Sequence, residues 1–147
     1  MKYLKHLLIW ATCIGVLFAC STPRTADETA VLFMDQYLIA ADQRAAIKLT
    51  TGRATADLQK EIDLLAGLDD RDQSVQDSKP DVRFEQLFRR ERPNGDVAMS
   101  YAVYIQRPGV ELPPHEAFLL VGLDGEHYKI KSFSFRSPSD TRTSNTP

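Results

Sequence analysis

The chain has 147 residues, of which 43% are hydrophobic and 26% charged, with a formal net charge of −2. Those values fit one compact domain with short appendages, and seven Gly, eight Pro and two Cys exclude a collagen-like or disulfide-dense chain. Only one stretch is long and apolar enough to consider as a membrane span, which excludes a multi-pass protein, and the charge balance lacks the basic surface that nucleic acid requires.

Lys2 and Lys5 precede an uncharged apolar run from Leu7 to Ala19, the pattern of a basic n-region and an h-region. The run is shorter than the roughly 20 residues a spanning helix needs, and Ser21-Thr22-Pro23-Arg24 stops it. Residues 1–19 therefore read as an export signal. Its end, Leu17-Phe18-Ala19-Cys20, resembles the bacterial lipobox, with a small residue before the Cys and Phe18 bulkier than the residue usual at its place. The resemblance implies cleavage before Cys20 and a diacylglycerol thioether on its sulfur, followed by a lipidated tether over residues 20–25. An ordinary secretory signal cleaved nearby is the alternative. Lipidation suits the cysteine usage, since Cys13 leaves with the signal and Cys20 would otherwise be a lone exposed thiol outside the cytoplasm. Loss of Lys2 and Lys5 takes the formal charge from −2 to −4, so the expected attachment is by lipid rather than by overall charge. Ser21 after the Cys implies the periplasmic face of the outer membrane, if the enteric sorting rule holds.

The expected domain covers residues 26–136. Thr25 and Glu28 have capping-box spacing, and Ala30, Phe33, Met34, Tyr37, Leu38 and Ala41 form one apolar stripe, which predicts a helix from Ala26. Asp42-Gln43 interrupts it. Arg44 to Leu49 predicts a short second helix with Gly52 as its stop, and Ala54 to Ala66 a third with Ala54, Leu58, Ile62 and Leu65 on one face. Asp69 to Asp81 reads as a polar loop. Its aspartates lack the Gly and terminal Glu of a calcium loop, so no metal is expected there.

The hydrophobic period then changes to two. Val82, Phe84, Gln86 and Phe88 predict one face of a first strand, and Asn94-Gly95 a hairpin. Val97, Met99, Tyr101, Val103 and Ile105 predict a second strand, and Phe118 to Leu123 a third, central one. Asp124-Gly125 marks a tight turn into a fourth strand, His127 to Arg136. There the apolar parity changes between Tyr128/Ile130 and Phe133/Phe135, which predicts a β-bulge near Lys131-Ser132. Residues 137–147 hold no large apolar side chain and read as a disordered tail.

Helices followed by antiparallel strands predict an α+β domain, with the helices packed on a curved sheet of about four strands. Phe33 and Tyr37 in the first helix, Ala45-Ala46-Ile47-Lys48-Leu49, and the hairpin Asp124-Gly125-Glu126-His127-Tyr128-Lys129-Ile130 resemble small exported members of the nuclear-transport-factor-two-like superfamily. The resemblance spans Asp27 to Phe135 and implies a cone-shaped, cystatin-like sheet around a long helix. It implies no activity, because that fold carries isomerases, dehydratases and inert scaffolds alike.

No phosphate loop, nucleophile elbow or zinc-protease pattern is present, and His115 and His127 alone are too few for a structural zinc site. The expectation is therefore no catalytic residue, no cofactor and no metal. Asp124 is explained by its turn, and Glu85, Glu91, Arg83 and Arg89 by surface pairing on a shared face. Tyr37, Met99, Tyr101, Phe118 and Tyr128 are the candidate lining of an apolar pocket for a small amphipathic ligand, with plain core filling as the alternative. Arg89-Arg90-Glu91-Arg92 is the other candidate, for an acidic partner or a lipid headgroup, against a solvated strand end. The leading expectation is a lipid-anchored envelope protein whose domain binds a protein partner or small ligand. The alternative is a small cavity enzyme of the isomerase or dehydratase type.

Overall fold

The computed structural model describes residues 24–66, 80–106 and 112–137. The signal, the lipobox with Cys20, most of the polar loop from Asp69 and nearly all of the tail lie outside them. Three helices, α1 (Ala26–Met34), α2 (Gln43–Ala46) and α3 (Arg53–Ala66), precede four strands, β1 (Asp81–Glu91), β2 (Val97–Gln106), β3 (His115–Asp124) and β4 (His127–Arg136). The strands form an open sheet in the order β1-β2-β3-β4, every neighbour antiparallel. The α+β expectation and its four strands hold.

The capping box at the start of α1 is formed: Glu28 N donates to Thr25 Oγ1 at 3.2 Å, and Thr25 N donates to the Glu28 carboxylate at 2.8 Å. The predicted stripe does not end as a simple α-helix. From Asp35 to Ile39 the coil widens to a π-helical turn, closed by Ala40 N donating to Asp35 O at 2.8 Å. Ala41 then takes the left-handed conformation, φ 52°, so that Asp42 N reaches Gln36 O. Asp42, read as an interruption, is the cap of α2: its carboxylate accepts from Ala45 N at 2.8 Å. The second helix is α-helical only to Ala46 and finishes as a 3-10 turn, Ile47–Leu49. Gly52 has the positive φ expected of it, 57°, but it opens α3, its carbonyl accepting from Ala56 N.

One core lies between the helices and one face of the sheet. Ala30, Phe33 and Met34 of α1 and Ala54 and Leu58 of α3 meet Val97, Met99, Tyr101, Val103, Leu119, Val121 and Ile130, all buried. The outer strand β4 is partly closed at its edge, where Thr50 bridges to Ile130 and Thr51 N donates to Ile130 O at 2.9 Å. The strands' other face carries no helix among the described residues.

The turns follow their residues. Arg92-Pro93-Asn94-Gly95 closes through Gly95 N to Arg92 O with Gly95 at φ 81°, and Arg92 N donates to Asp96 O, so five residues link β1 to β2 instead of an isolated Asn-Gly pair. Gly125, φ 63°, provides the first turn position between β3 and β4. The bulge expected in β4 is present: Leu120 pairs with Ser132 and Val121 with Ile130, leaving Lys131 as the extra residue. It turns Phe133 and Phe135 to the helix side. A second bulge, not expected, sits in β1, where the register steps from Gln86 to Phe88 over Leu87.

Candidate functional site

The bulge at Leu87 reassigns the end of β1. Val82 and Phe84 share the core face with Ile105 and Val103, but beyond Leu87 it is Arg89 and Glu91 that stand opposite Met99 and Val97. Phe88 pairs with Ser100 and Arg90 with Ala98 on the outer face. Arg83 and Glu85 therefore do not share a face with Arg89 and Glu91 as alternation implied, because one inserted residue inverts every later side chain. Arg89 and Arg90 do point to opposite faces, as expected. On the helix side, Arg89 Nε lies 3.1 Å from both Asp27 oxygens, and its Nη2 lies 3.1 Å from Glu91. Those two carboxylates hold its guanidinium firmly protonated, Glu91 contributing most.

Four of the five candidate pocket residues lie in or against the one core, and Phe118 does not join them. Tyr37 lies among Phe33, Phe133 and Phe135, stacked nearly parallel on Phe33 at 5.5 Å and on Phe135 at 5.3 Å. Its hydroxyl donates to the Glu61 carboxylate, 2.9 and 3.1 Å from the two oxygens. Burial first, and then that carboxylate, hold the phenol protonated far above its ordinary range. Met99 and Tyr101 are core residues; the Tyr101 hydroxyl meets Met99 Sδ at 3.4 Å, and Phe84 meets the ring edge-on. Burial, with the Asp27 charge second, pushes the Tyr101 phenol up to about 12. Tyr128 packs half-buried against the same core. Phe118 stands apart, opposite Ser100 and Ser134 on the outer face, with the Arg136 guanidinium 5.0 Å from its ring. Parity separates it from Leu119, which is the buried neighbour of Met99 and Phe133.

The outer face carries a groove of about 480 Å³ running across the strands. Ala98, Phe118, Leu120, Ser132 and Ser134 line it, with Phe88 and Arg92 from the β1 side and Arg53 from the start of α3. Beside it, Lys131 Nζ binds Asp96 Oδ1 at 2.7 Å, and Asn94 donates to the other Asp96 oxygen. Asp96 is only 6% exposed. This pair lies over Gly122, where a Cβ would fall on Asp96 Oδ1 and on the Lys131 side chain. The bulge that releases Lys131 and the missing side chain at Gly122 together make room for an ion pair whose carboxylate is buried and whose ammonium stays partly exposed.

Arg92 belongs to the basic cluster named from the sequence and Phe88 is expected on the core face, whereas Arg53, Ser132 and Ser134 carry no such signal as site residues. The one available signal was that Leu87 and Phe88 are adjacent and both apolar, so one of them had to face away from the core. Chemically the groove offers apolar floor, hydroxyls and guanidinium groups: it can hold an amphipathic segment bearing negative charge. His115 and Glu116 open β3 half-buried, Asp124 serves its turn, and among the described residues no three metal-binding side chains converge. Comparison of the chain with protein-family models, with curated proteins and with solved structures found no match.

Proposed function

We propose that the chain is a bacterial cell-envelope lipoprotein, tethered by a diacylglycerol on Cys20, whose domain docks a partner through the outer face of its sheet. We read its finer architecture as the cone-shaped, cystatin-like arrangement of the nuclear-transport-factor-two-like superfamily. The order helix, short helix, helix, antiparallel meander supports that reading, as does the seat of Phe33 and Tyr37 against β4.

The observation that carries docking is the contrast between the two sheet faces: one is covered by helices, the other carries no helix among the described residues and is grooved, with Arg53 and Arg92 in the groove's lining. A cavity enzyme needs an acid or base free to act between helices and sheet. That space is filled by the aromatic cluster, and Glu61, the carboxylate bonded to it, is engaged by Tyr37.

Cys20→Ser is expected to abolish incorporation of labelled fatty acid and to release the chain from the membrane fraction; unchanged partitioning overturns the anchor. For docking, native mass spectrometry compares the wild type with Ser134→Trp, whose indole fills the groove. A companion bound to the first and lost from the second is expected. A companion that survives the filling overturns the role of this face.

A further inference from the structure

We propose that the Leu87–Arg92 end of β1 lies on an anionic phospholipid surface and sets the orientation of the domain on the leaflet that holds its lipid. The proposal rests on the lipid anchor at Cys20 and adds a second, separately placed contact to it.

Three observations converge on this corner. The first is apolar exposure: Leu87 is 60% and Phe88 49% exposed, side by side on an edge strand. Burying neither of two adjacent large apolar side chains is unusual for a strand that has a core to face, and it follows here from the bulge. The second is charge. Arg90 and Arg92 are exposed and have no ion pair among the described residues. Asp27 and Glu91 are held by Arg89 and Asp96 by Lys131, while Glu28 accepts from the Thr25 amide and keeps its charge. The corner's named charges balance, but Arg90 and Arg92 present two guanidinium groups beside the apolar tip that are free to meet phosphate.

The third is position. The Arg89–Asp27 pair joins residues 62 apart and fastens this end of β1 to the first turn of α1. Cys20 precedes Ala26 by six residues, so even a fully extended tether holds the start of α1 within about 20 Å of the acylated residue. The corner is therefore within reach of the headgroups, where an apolar tip beside arginines is favoured by both interfacial burial and the negative surface potential. The β3–β4 turn shares this end of the sheet but carries the exposed acids Asp124 and Glu126. Two to three strand spacings, about 10–14 Å, separate it from β1. The two turns therefore differ in their response to an anionic surface, and the domain tilts with β1 down and the β3–β4 turn away.

The test uses the full acylated chain, in which Cys13 is removed with the signal and Cys20 is blocked, so an introduced thiol is the only reactive one. Leu87→Cys and, separately, Glu126→Cys carry an environment-sensitive fluorophore on vesicles of phosphatidylcholine alone or mixed with phosphatidylglycerol. Flotation with both vesicle types is expected. A blue shift is expected at position 87 on the anionic vesicles only, reversed by high salt and reduced at least fivefold in amplitude by Arg90→Gln with Arg92→Gln. The label at position 126 is expected to stay unshifted. Flotation without a shift at 87 on anionic vesicles overturns the orientation and leaves the anchor standing. A shift that grows with protein concentration in the absence of vesicles points to a second copy of the chain and likewise overturns it. No flotation with neutral vesicles overturns the anchor, and with it the proposal.

Discussion

The two faces of the sheet are built from the same four strands and from similar residue types, yet they differ in how their aromatic side chains are used. On the helix side, Phe33, Tyr37, Phe133 and Phe135 lock into ring contacts between 5.3 and 6.1 Å. On the outer side, Phe88 and Phe118 sit among serines and arginines with no element over them among the described residues. The ring packing that closes the core therefore lies on the first face, and the second leaves its two phenylalanines outside that packing. This is a division a protein can maintain only if exposed aromatic area contributes little to its folding.

The sharpest test is a matched pair of truncations. Phe33→Ala is expected to cost about 3–5 kcal/mol in urea unfolding, because it opens a cavity in a fully closed core. Phe118→Ala is expected to cost about 1 kcal/mol, mainly its contact with Arg136. Equal losses would erase the distinction between the faces. Gly122→Ala comes next. It belongs to the outer face but strikes the half-buried Asp96–Lys131 pair, and a loss of about 1–3 kcal/mol is expected from overpacking. A neutral result would mean that the pair moves freely and adds nothing to order on that face.

Ala41→Gly acts in the opposite direction. At φ 52° an Ala bears a left-handed penalty that Gly lacks, so the variant is expected to gain about 1 kcal/mol in thermal or urea unfolding. No gain would mean that the turn after the π-helical segment relaxes at little cost. The smallest effect is on pH dependence. An unfolded Tyr101 loses its proton near pH 10.0, while the folded one keeps it until about 12. Its contribution is intact below pH 10.0 and is lost as pH rises toward 12, because only the unfolded state is stabilised by ionisation there. Tyr37 acts in the same direction. Tyr101→Phe is expected to flatten the alkaline fall of the urea midpoint, whereas Tyr104→Phe, on the outer face beside Arg83, serves as the comparison.

Much of this was legible in the chain because it is local. The capping box at Thr25 and Glu28, the glycines at 52, 95 and 125 and the bulge at Lys131 all rest on residues within a few positions of one another. In β4 the parity change is visible because Ile130, Phe133 and Phe135 are all strongly apolar. In β1 the alternation from Val82 to Phe88 reads equally well without a bulge, and nothing between Val82 and Glu91 shows that Arg89 will find Asp27 on α1. Hence Phe88 was placed on the wrong face, and Phe118 was grouped with core residues that its neighbours Ser100 and Ser134 do not join.

The sequence by itself determined the export-signal pattern, the order of helices and strands, and the turns, since each depends on short-range periodicity and on the φ preferences of single residues. Which aromatics close the core and which stay in the open was decided only in three dimensions. Register is counted across strands, and one extra residue at Leu87 reverses every side chain after it. The groove, the ion pair over Gly122 and the arginine corner all follow from that count and from the partners it brings within reach.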